Sequence, residues 1–266
     1  SLLEINSEKD IEILDTIYSN SVLLGDDSPG GWGIKYATEF HMTNDSKLFP
    51  PRPVWEEKGY KPDEYGRWIG PDGDVALPLY QGIMVNQLNP NRAVWLSGSG
   101  LNAIWNKESQ VFNVFGPQYL ISSTLINNMD LLGKRILVRT IARTTDARTL
   151  IGATCAPFPS GNSLSAIVFK KKDLFLYHYL SAILNSFVFD WSLRQRLGGT
   201  NVNKFFMEEM GVLPRKDYHN SLLKVAFRIE CANKIFAPDW LLAQQKLSIN
   251  SYCQTWKSHW AVTDHE

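Results

Sequence analysis

Three arginines, Arg135, Arg139 and Arg143, recur at every fourth residue in the stretch GKRILVRTIARTTDARTL, and Arg148 follows them. A spacing of four places side chains on one face of either a strand or a helix. The intervening residues are mostly β-branched or small, which favours a strand over residues 135–143 with an apolar underside on a core. Aligned guanidinium groups can bind phosphates or base edges bidentately. The alternative is a solvated edge strand whose arginines pair with local acids.

Charged residues are unevenly distributed along the chain, although the formal net charge is zero. Lys and Arg number 9 against 17 Asp and Glu in residues 1–133, 13 against 5 in residues 134–216, and 5 against 5 in residues 217–266. A local excess of cations indicates a polyanionic partner, so we expect the middle segment to form one concave cationic surface. The alternative is that the acidic and basic segments fold against each other and cancel.

Composition and cysteine content are typical of an ordinary globular protein. The 266 residues are 44% hydrophobic, which suffices for one large domain or a domain with an appendage. Three cysteines without a C-x-x-C pair predict a reducing, cytoplasmic location without disulfides or structural zinc. We expect no secretory signal, and because the first residue is Ser we expect a fragment of a longer protein.

One apolar stretch, residues 174–189, could be mistaken for a membrane span. It has 16 residues, contains His178 and Asn185, and ends at Asp190. A span needs about 20 apolar residues. The stretch therefore predicts a buried helix and no membrane partner.

The pattern of apolar residues and chain breakers predicts an α+β fold. We expect a mixed twisted sheet with a long helix and a C-terminal helical appendage. The expected helices cover residues 4–19, 173–196, 220–236 and 239–260, and the expected strands lie around 34–42, 81–88, 111–121, 135–143 and 149–156. The aromatic-rich residues 50–78 predict an ordered loop or short hairpin. The expected segments are an N-terminal helix and connector over 1–25, a main domain over 26–216 and a helical segment over 217–266.

Catalytic motifs are missing from the sequence. A Gly-rich cofactor turn and an Asn or Asp followed by Pro-Pro and an aromatic residue would mark an amino methyltransferase, and neither occurs; nor does a phosphate-binding loop or a nucleophile elbow. The five histidines are dispersed, so we expect His41 and His178 to satisfy hydrogen bonds and to bind no metal. A nuclease site from Asp72, Asp74 and Lys61 remains an alternative, although its Pro/Gly-rich loop is a poor platform. We therefore expect no catalytic residues in this chain.

Four sequence blocks resemble the C-terminal region of adenine-specific DNA methyltransferases, in particular the fused type IIG restriction and modification enzymes and the methyltransferases of phage-defence systems. The blocks are LPLYQGIMVNQLNP at 77–90, RTIARTTDARTLIGATCAP at 139–157, AILNS at 182–186 and GVLPR at 211–215, and EFHMTNDSKLF at 39–49 fits the same pattern. The likeness spans about residues 35–215. It departs from the family at Gln81, where relatives usually carry an acid, and at Leu88-Asn89, where Phe-Asp is common.

In that family this region is the target recognition domain, and the catalytic domain lies N-terminal to it. The resemblance therefore implies double-stranded DNA and an N-terminal methyltransferase domain of the same polypeptide as partners. S-adenosylmethionine is expected in that catalytic domain, and no cofactor is expected in this chain. Together with the excess of cations, the resemblance predicts the following DNA-binding residues: Arg135, Arg139, Arg143, Arg148, Lys170, Lys171, Arg194, Arg196, Asn201 and Lys204.

Several of these residues have alternative roles. Asn201, like Asn162 and Asn203, can read adenine or form a turn. Arg194, Arg196 and Lys204 flank Gly198-Gly199 and can contact phosphates or complement a helix terminus. Asp146 is expected to orient Arg143 or Arg148.

The sequence thus predicts a non-catalytic module that recognises a specific DNA sequence for an adenine-N6 methyltransferase or a fused restriction-modification enzyme. The alternatives are a protein-interaction or assembly domain of a phage-defence complex, for which Trp240, Trp256 and Trp260 would cover a partner, and a metal-dependent nuclease.

Overall fold

The structure, a computed structural model, describes residues 5–107, 115–129, 133–170, 173–215 and 220–247. Within these ranges it contains eight α-helices and twelve strands. The helices are α1 Glu8–Ser19, α2 Arg52–Glu57, α3 Ser123–Asn128, α4 Leu174–Leu184, α5 Phe187–Arg194, α6 Lys204–Glu208, α7 Asn220–Glu230 and α8 Ala237–Leu247. The strands are β1 Val22–Leu23, β2 Ile34–Ala37, β3 Lys61–Pro62, β4 Trp68–Ile69, β5 Val75–Pro78, β6 Val94–Ser97, β7 Ile104–Asn106, β8 Leu120–Ser122, β9 Arg135–Arg139, β10 Gly152–Cys155, β11 Leu164–Phe169 and β12 Gly211–Val212.

The central sheet is antiparallel with the strand order β10, β9, β11, β2. Both of its faces are covered. Ile136 and Val138 on β9 belong to one hydrophobic core together with Leu180 of α4, whereas Leu137 belongs to a second core on the opposite face. This burial explains why the strands are rich in β-branched and aliphatic residues.

The first core joins the two ends of the described chain to the sheet. Phe227 of α7 and Trp240 of α8 pack in the same core as α4. At the N-terminal end, β1 pairs with β12 through Val22 and Val212, and Leu24 is fully buried. The expected boundaries at residues 25 and 216 therefore do not separate independent hydrophobic cores.

The second core lies between the central sheet and the antiparallel sheet β3–β4–β5–β8, and β6 and β7 form a separate hairpin. Tyr80, Phe115 and Phe158 pack ring against ring within it. Residues 50–78 are ordered as predicted, and they form α2 and the strands β3 to β5. The rings of Trp55 and Tyr60 pack edge to face at a centroid distance of 4.8 Å.

The predicted α+β class is confirmed, but the strand ladders differ from the mixed sheet that we expected. Every ladder among the described residues is antiparallel. Parallel pairing occurs only as two isolated bridges in this part of the chain, Phe40 with Gly161 and Tyr80 with Ser160.

The long helix predicted over residues 173–196 is wrong, because the chain breaks into α4 and α5 at Asn185 and Ser186. The Asn185 side chain donates to the carbonyls of Ser181 and Gly152 at 2.8 and 3.0 Å. The Ser186 hydroxyl then accepts from the Phe189 amide at 3.2 Å and so begins a new helix. Apolar periodicity cannot show this break, because both helices bury the same kinds of residues.

Other boundaries also shift. The strand expected at 81–88 is a 3₁₀ turn over Gly82–Met84, and β11, which lies in the middle of the central sheet, was not predicted. The first helix begins at Glu8 because Ser7 and Asp10 form a capping box. The helix expected over 239–260 is described as far as Leu247, and the remaining residues lie outside the described ranges, as do Trp256 and Trp260. None of the described helices is long and apolar enough to cross a membrane.

Candidate nucleic-acid interface

A pocket of about 430 Å³, called the cationic pocket below, lies where the end of β9 meets the 3₁₀ turn and the β6–β7 hairpin. Its described lining residues are Gly82, Ile83, Asn86, Arg92, Lys107, Arg139, Ile141 and Ser163. Three of these side chains are cations and none is an acid. The pocket is therefore a concentration of positive charge that the described lining does not neutralise.

The backbone holds Arg139 in place within the cationic pocket. Its Nε donates to the carbonyl oxygens of Gly82 and Val85 at 2.9 and 2.8 Å. Ser163 fixes the same turn, because its hydroxyl accepts from the Gly82 amide at 2.9 Å. No hydrogen bond from the Arg139 Nη groups reaches another described residue, so these donors are available to a ligand.

The electrostatic state of Arg139 reflects this arrangement. Burial, and secondarily the positive charge of Arg92, lowers the pKa of Arg139. A guanidinium still remains protonated at neutral pH, so two like charges stay close together. A bound anion would relieve their repulsion and supply acceptors for the Arg139 Nη groups.

The chain leads from the cationic pocket along one edge of the molecule to Arg143. Ile141 lines the pocket and forms an isolated bridge with Asn201. The Ala142 amide donates to the Thr200 carbonyl at 2.9 Å. Arg143 is exposed, has no ion-pair partner among the described residues, and lines a shallow depression with Gly198 and Gly199. The structure thus brings Arg139, Arg143 and Asn201 together, and we call this strip the 139–143 edge.

Arg135 does not belong to this surface, which corrects the expectation that the three arginines of the repeat share an exposed face. Its side chain is 2% exposed and forms an ion pair with Glu39, which is 6% exposed. Arg135 also donates to the Gly133 carbonyl. Arg135 and Arg139 are four residues apart on β9, but that face of the strand is covered by the second core.

Arg148 and Arg194 fasten the loop after β9 to α5 and are not free for DNA, which is a second correction. Arg148 donates to the carbonyls of Asn185 and Ser186, and its guanidinium lies 4.7 Å from the Phe187 ring centroid. Arg194 forms a 2.9 Å ion pair with Asp190 and donates to three loop carbonyls. Those carbonyls belong to Thr144, Asp146 and Ala147.

The other predicted cations that the structure describes are paired with acids. Lys170 lies 2.8 Å from Asp27. Arg196 lies 2.8 Å from Glu209 and donates to the Tyr18 hydroxyl. Lys204 lies 3.4 Å from Glu208. Lys171 lies outside the described residues.

The described cations of the middle segment therefore do not all line one free surface, because several of them form pairs with acids. The alternative from the charge distribution accounts for only some of these pairs. Glu39 and Asp27 come from the acidic first segment, whereas Asp190, Glu208 and Glu209 come from the middle segment itself.

Four other residues to which the sequence analysis gave a role are Asp146, Asn162, His178 and His41. Asp146 contacts Arg194 through its backbone carbonyl, and the acid nearest to Arg148 is Asp190, so Asp146 does not orient Arg148. Asn162 accepts from the Met42 amide at 3.1 Å and so has a structural role. His178 does satisfy a buried interaction, with Glu230, whereas His41 is exposed.

Three of the four blocks that carry the family resemblance meet in space. The Leu88 amide donates to the Gly152 carbonyl at 3.0 Å, and the Asn185 side chain donates to the same carbonyl. Gln87 and Arg148 both donate to the Asn185 carbonyl. The blocks at 77–90, 139–157 and 182–186 are therefore one hydrogen-bonded unit beside the cationic pocket. The fourth block lies apart, where the Trp32 indole donates to the Leu213 carbonyl.

Arg92 and Lys107 were not predicted as site residues. Both lie in the acidic first segment, so counting charge by segment conceals them. No local motif marks either residue, and only the tertiary fold brings them to Arg139.

No protein-family model matches this chain, and no curated protein matches it either. The family resemblance therefore rests on the quoted blocks alone. The nuclease alternative gains no support from geometry, because the metal-competent cluster found among the described residues does not include Asp72 or Asp74. The Asp74 carboxylate instead accepts a hydrogen bond from the Tyr60 hydroxyl.

Proposed function

We propose that this chain is the sequence-specific DNA-recognition module of an adenine-N6 DNA methyltransferase or of a fused restriction-modification enzyme. The observation that carries this proposal is the cationic pocket, in which Arg92, Lys107 and Arg139 face a common space with no acid among the described lining residues. The four blocks that resemble the target recognition domains of such enzymes support it independently.

Phosphate is the ligand group that fits the pocket best. A phosphate carries the negative charge that the three cations require, and the Nη groups of a fixed guanidinium can bind it bidentately. Backbone contacts of this kind set the register of a protein on a duplex without reading its sequence. The cationic pocket would therefore position the DNA.

The 139–143 edge would supply contacts beyond the phosphate. Asn201 is an exposed amide that can pair with an adenine edge, and Arg143 is an exposed guanidinium that can pair with guanine or with a second phosphate. Ile141 is 68% exposed between them, and its aliphatic side chain can contact a thymine methyl group. One edge thus combines an anchoring site with the side-chain types that read bases.

Catalysis would belong to a separate domain. Methylation of an adenine N6 amine requires a cofactor site and a base rotated out of the stack. The sequence lacks the motifs for both, so S-adenosylmethionine would bind the N-terminal domain of the same polypeptide. A protein acting on cellular DNA in this way would work in the cytoplasm.

The test is a titration of labelled duplex DNA at a series of salt concentrations. We expect the double variant Arg92→Ala, Lys107→Ala to bind more weakly at low salt. The slope of log affinity against log salt should fall by about 1 for each phosphate that the variant no longer neutralises. The matched control is Lys170→Ala, Lys204→Ala, which removes two exposed lysines that do not line the pocket. Equal losses of affinity in both double variants, or affinity independent of salt in the wild type, would refute the proposal.

A protein-interaction role is the second candidate, and the β6–β7 hairpin favours it. Leu96, Leu101 and Ile104 are 53%, 105% and 56% exposed. Exposed apolar side chains of this kind can pack against a protein partner. Deleting residues 217–266 is an unsuitable test, because it removes Phe227 and Trp240 from the first core. The double variant Leu101→Asp, Ile104→Asp is cleaner: it should abolish assembly in size-exclusion chromatography with the N-terminal methyltransferase domain if this role is correct.

A further inference from the structure

Three potential metal ligands that are far apart in the sequence lie close together beneath the C-terminal helices. His178 lies on α4, Cys231 directly follows α7, and Asp239 is in the first turn of α8. One ligand atom from each residue lies within 4.8 Å of the other two, and all three residues are buried. The DNA proposal does not require this convergence, although Cys231 also packs in the first core.

The imidazole of His178 has a fixed orientation. Its Nδ1 lies 2.6 Å from Oε2 of Glu230, and both side chains are fully buried. The other oxygen of Glu230 accepts from the Thr154 amide at 2.8 Å and from the Ser181 hydroxyl. A carboxylate that holds one imidazole nitrogen while the other faces outward is the usual support for a metal-binding histidine.

The second ring nitrogen of His178, Nε2, faces the sulfur of Cys231 at a separation close to that of two ligands of one zinc ion. His178 Nε2 lies 3.8 Å from Cys231 Sγ. With a zinc–sulfur bond of about 2.3 Å and a zinc–nitrogen bond of about 2.0 Å, tetrahedral geometry separates the two ligand atoms by about 3.5 Å. The observed separation is about 0.3 Å larger, which a small side-chain adjustment would close. A nitrogen, a sulfur and a carboxylate oxygen form a ligand set that zinc accepts and that magnesium and calcium do not prefer.

The buried charges also suit a divalent cation. Two carboxylates border the cluster: Glu230 contacts the His178 imidazole, and Asp239 pairs with Lys134, the cation that the described residues place there. Carboxylates beside a thiol and an imidazole provide the anionic surroundings that a divalent cation needs. The nearby pair of Arg135 and Glu39 is neutral by itself.

We propose that His178, Cys231 and Asp239 bind one zinc ion, with Glu230 as the residue that positions the imidazole. Because the ligands come from α4, the end of α7 and the start of α8, the ion fastens the C-terminal helices to the helix that covers the central sheet. This inference is independent of the proposed DNA recognition.

The first experiment measures the metal content of the chain, expressed without a histidine tag and desalted after exposure to zinc. We expect about one zinc per chain in the wild type. Cys231→Ser and Asp239→Asn should each lose most of it. Cys155→Ser is the matched control, because Cys155 is equally buried and its thiol bonds to the Ala153 carbonyl outside the cluster. Wild-type protein that binds no zinc, or equal loss in Cys155→Ser, would overturn the proposal.

A second measurement needs only wild-type protein, so it stands even if the ligand variants do not fold. Cobalt should replace zinc and give the absorption of a thiolate-to-cobalt charge transfer. A strong chelator should abolish that absorption and lower Tm. A cluster that holds its side chains together by hydrogen bonds alone predicts neither the absorption nor a chelator effect, and that result would also overturn the proposal.

Discussion

Arg135 and Glu39 form an ion pair in the interior of the protein, with side chains 2% and 6% exposed. Glu39 is further held by the amide and the hydroxyl of Ser160, at 2.8 and 2.9 Å. The first arginine of the four-residue repeat therefore joins β9 to the segment after β2. Its guanidinium lies in the interior of the protein and is not part of the exposed cationic surface.

Removing one partner of this pair should destabilise the protein strongly. We expect Arg135→Ala to lower the free energy of unfolding by about 3–5 kcal/mol, because it leaves the buried Glu39 carboxylate without a cation. Denaturant unfolding followed by circular dichroism measures the change. The double variant Arg135→Met, Glu39→Leu should recover much of the stability. If Arg135→Ala unfolds like the wild type, Arg135 is not part of the core.

The break between α4 and α5 gives a second prediction. Ser186→Ala removes the N-cap of α5 and should lower the free energy of unfolding by about 1 kcal/mol. Ser192→Ala is the matched control on the same helix, because the buried Ser192 hydroxyl has no hydrogen-bond partner among the described residues. Its removal should be neutral or slightly stabilising in the same denaturant experiment. A larger effect at residue 192 than at residue 186 would contradict the assigned cap.

The Tyr60 hydroxyl gives a prediction about pH. Its hydrogen bond to Asp74, with smaller contributions from burial and from the charges of Asp74 and Asp72, raises the pKa of Tyr60 to about 12. The folded state thus favours the protonated phenol. The resulting stabilisation is fully present below the ordinary pKa of about 10 and is lost as the pH rises through about 12.

Absorbance of the phenolate against pH measures this shift. Asp74→Asn should make one tyrosine ionise at lower pH than in the wild type, and Tyr60→Phe should remove that tyrosine from the titration. Superimposable curves for the wild type and Asp74→Asn would show that the hydrogen bond has no effect in solution.

The buried thiols give a fourth prediction. Burial raises the pKa of both Cys155 and Cys231. Each unit by which the pKa exceeds the pH lowers the thiolate fraction about tenfold, and the thiolate is the reactive form. Iodoacetamide should therefore modify both cysteines far more slowly in native than in denatured protein, as followed by peptide mass spectrometry. Equal rates in the two states would contradict their burial.

Two features of the sequence were sufficient for the fold class. The strand predicted over residues 135–143 is present as β9 in its first five residues, and the helix predicted over residues 173–196 is present as α4 and α5 with a break that was not predicted. Local periodicity indicates the type of element and its burial, but it does not give these boundaries. The central position of β11 could not be predicted in the same way. Its pairing with β9 and β2 joins segments that are distant along the chain.

The candidate site also combines features that the sequence predicts with features that only the tertiary structure sets. The spacing of the arginines correctly places Arg135 and Arg139 on one face of β9, but it does not show that the second core buries one of them and leaves the other at the rim of a pocket. Arg92 and Lys107 have no distinguishing neighbours in sequence. They become site residues because the β6–β7 hairpin lies against the end of β9.

By itself, the sequence determined the α+β class, the strand at β9 and the excess of cations in residues 134–216. Tertiary structure alone decided which of those cations are neutralised by Glu39, Asp27 or Asp190 and which remain at the surface. The physical reason is that charge is a property of a residue, whereas the potential at a site depends on the distance to every other charge and on burial. Those distances are set by long-range packing.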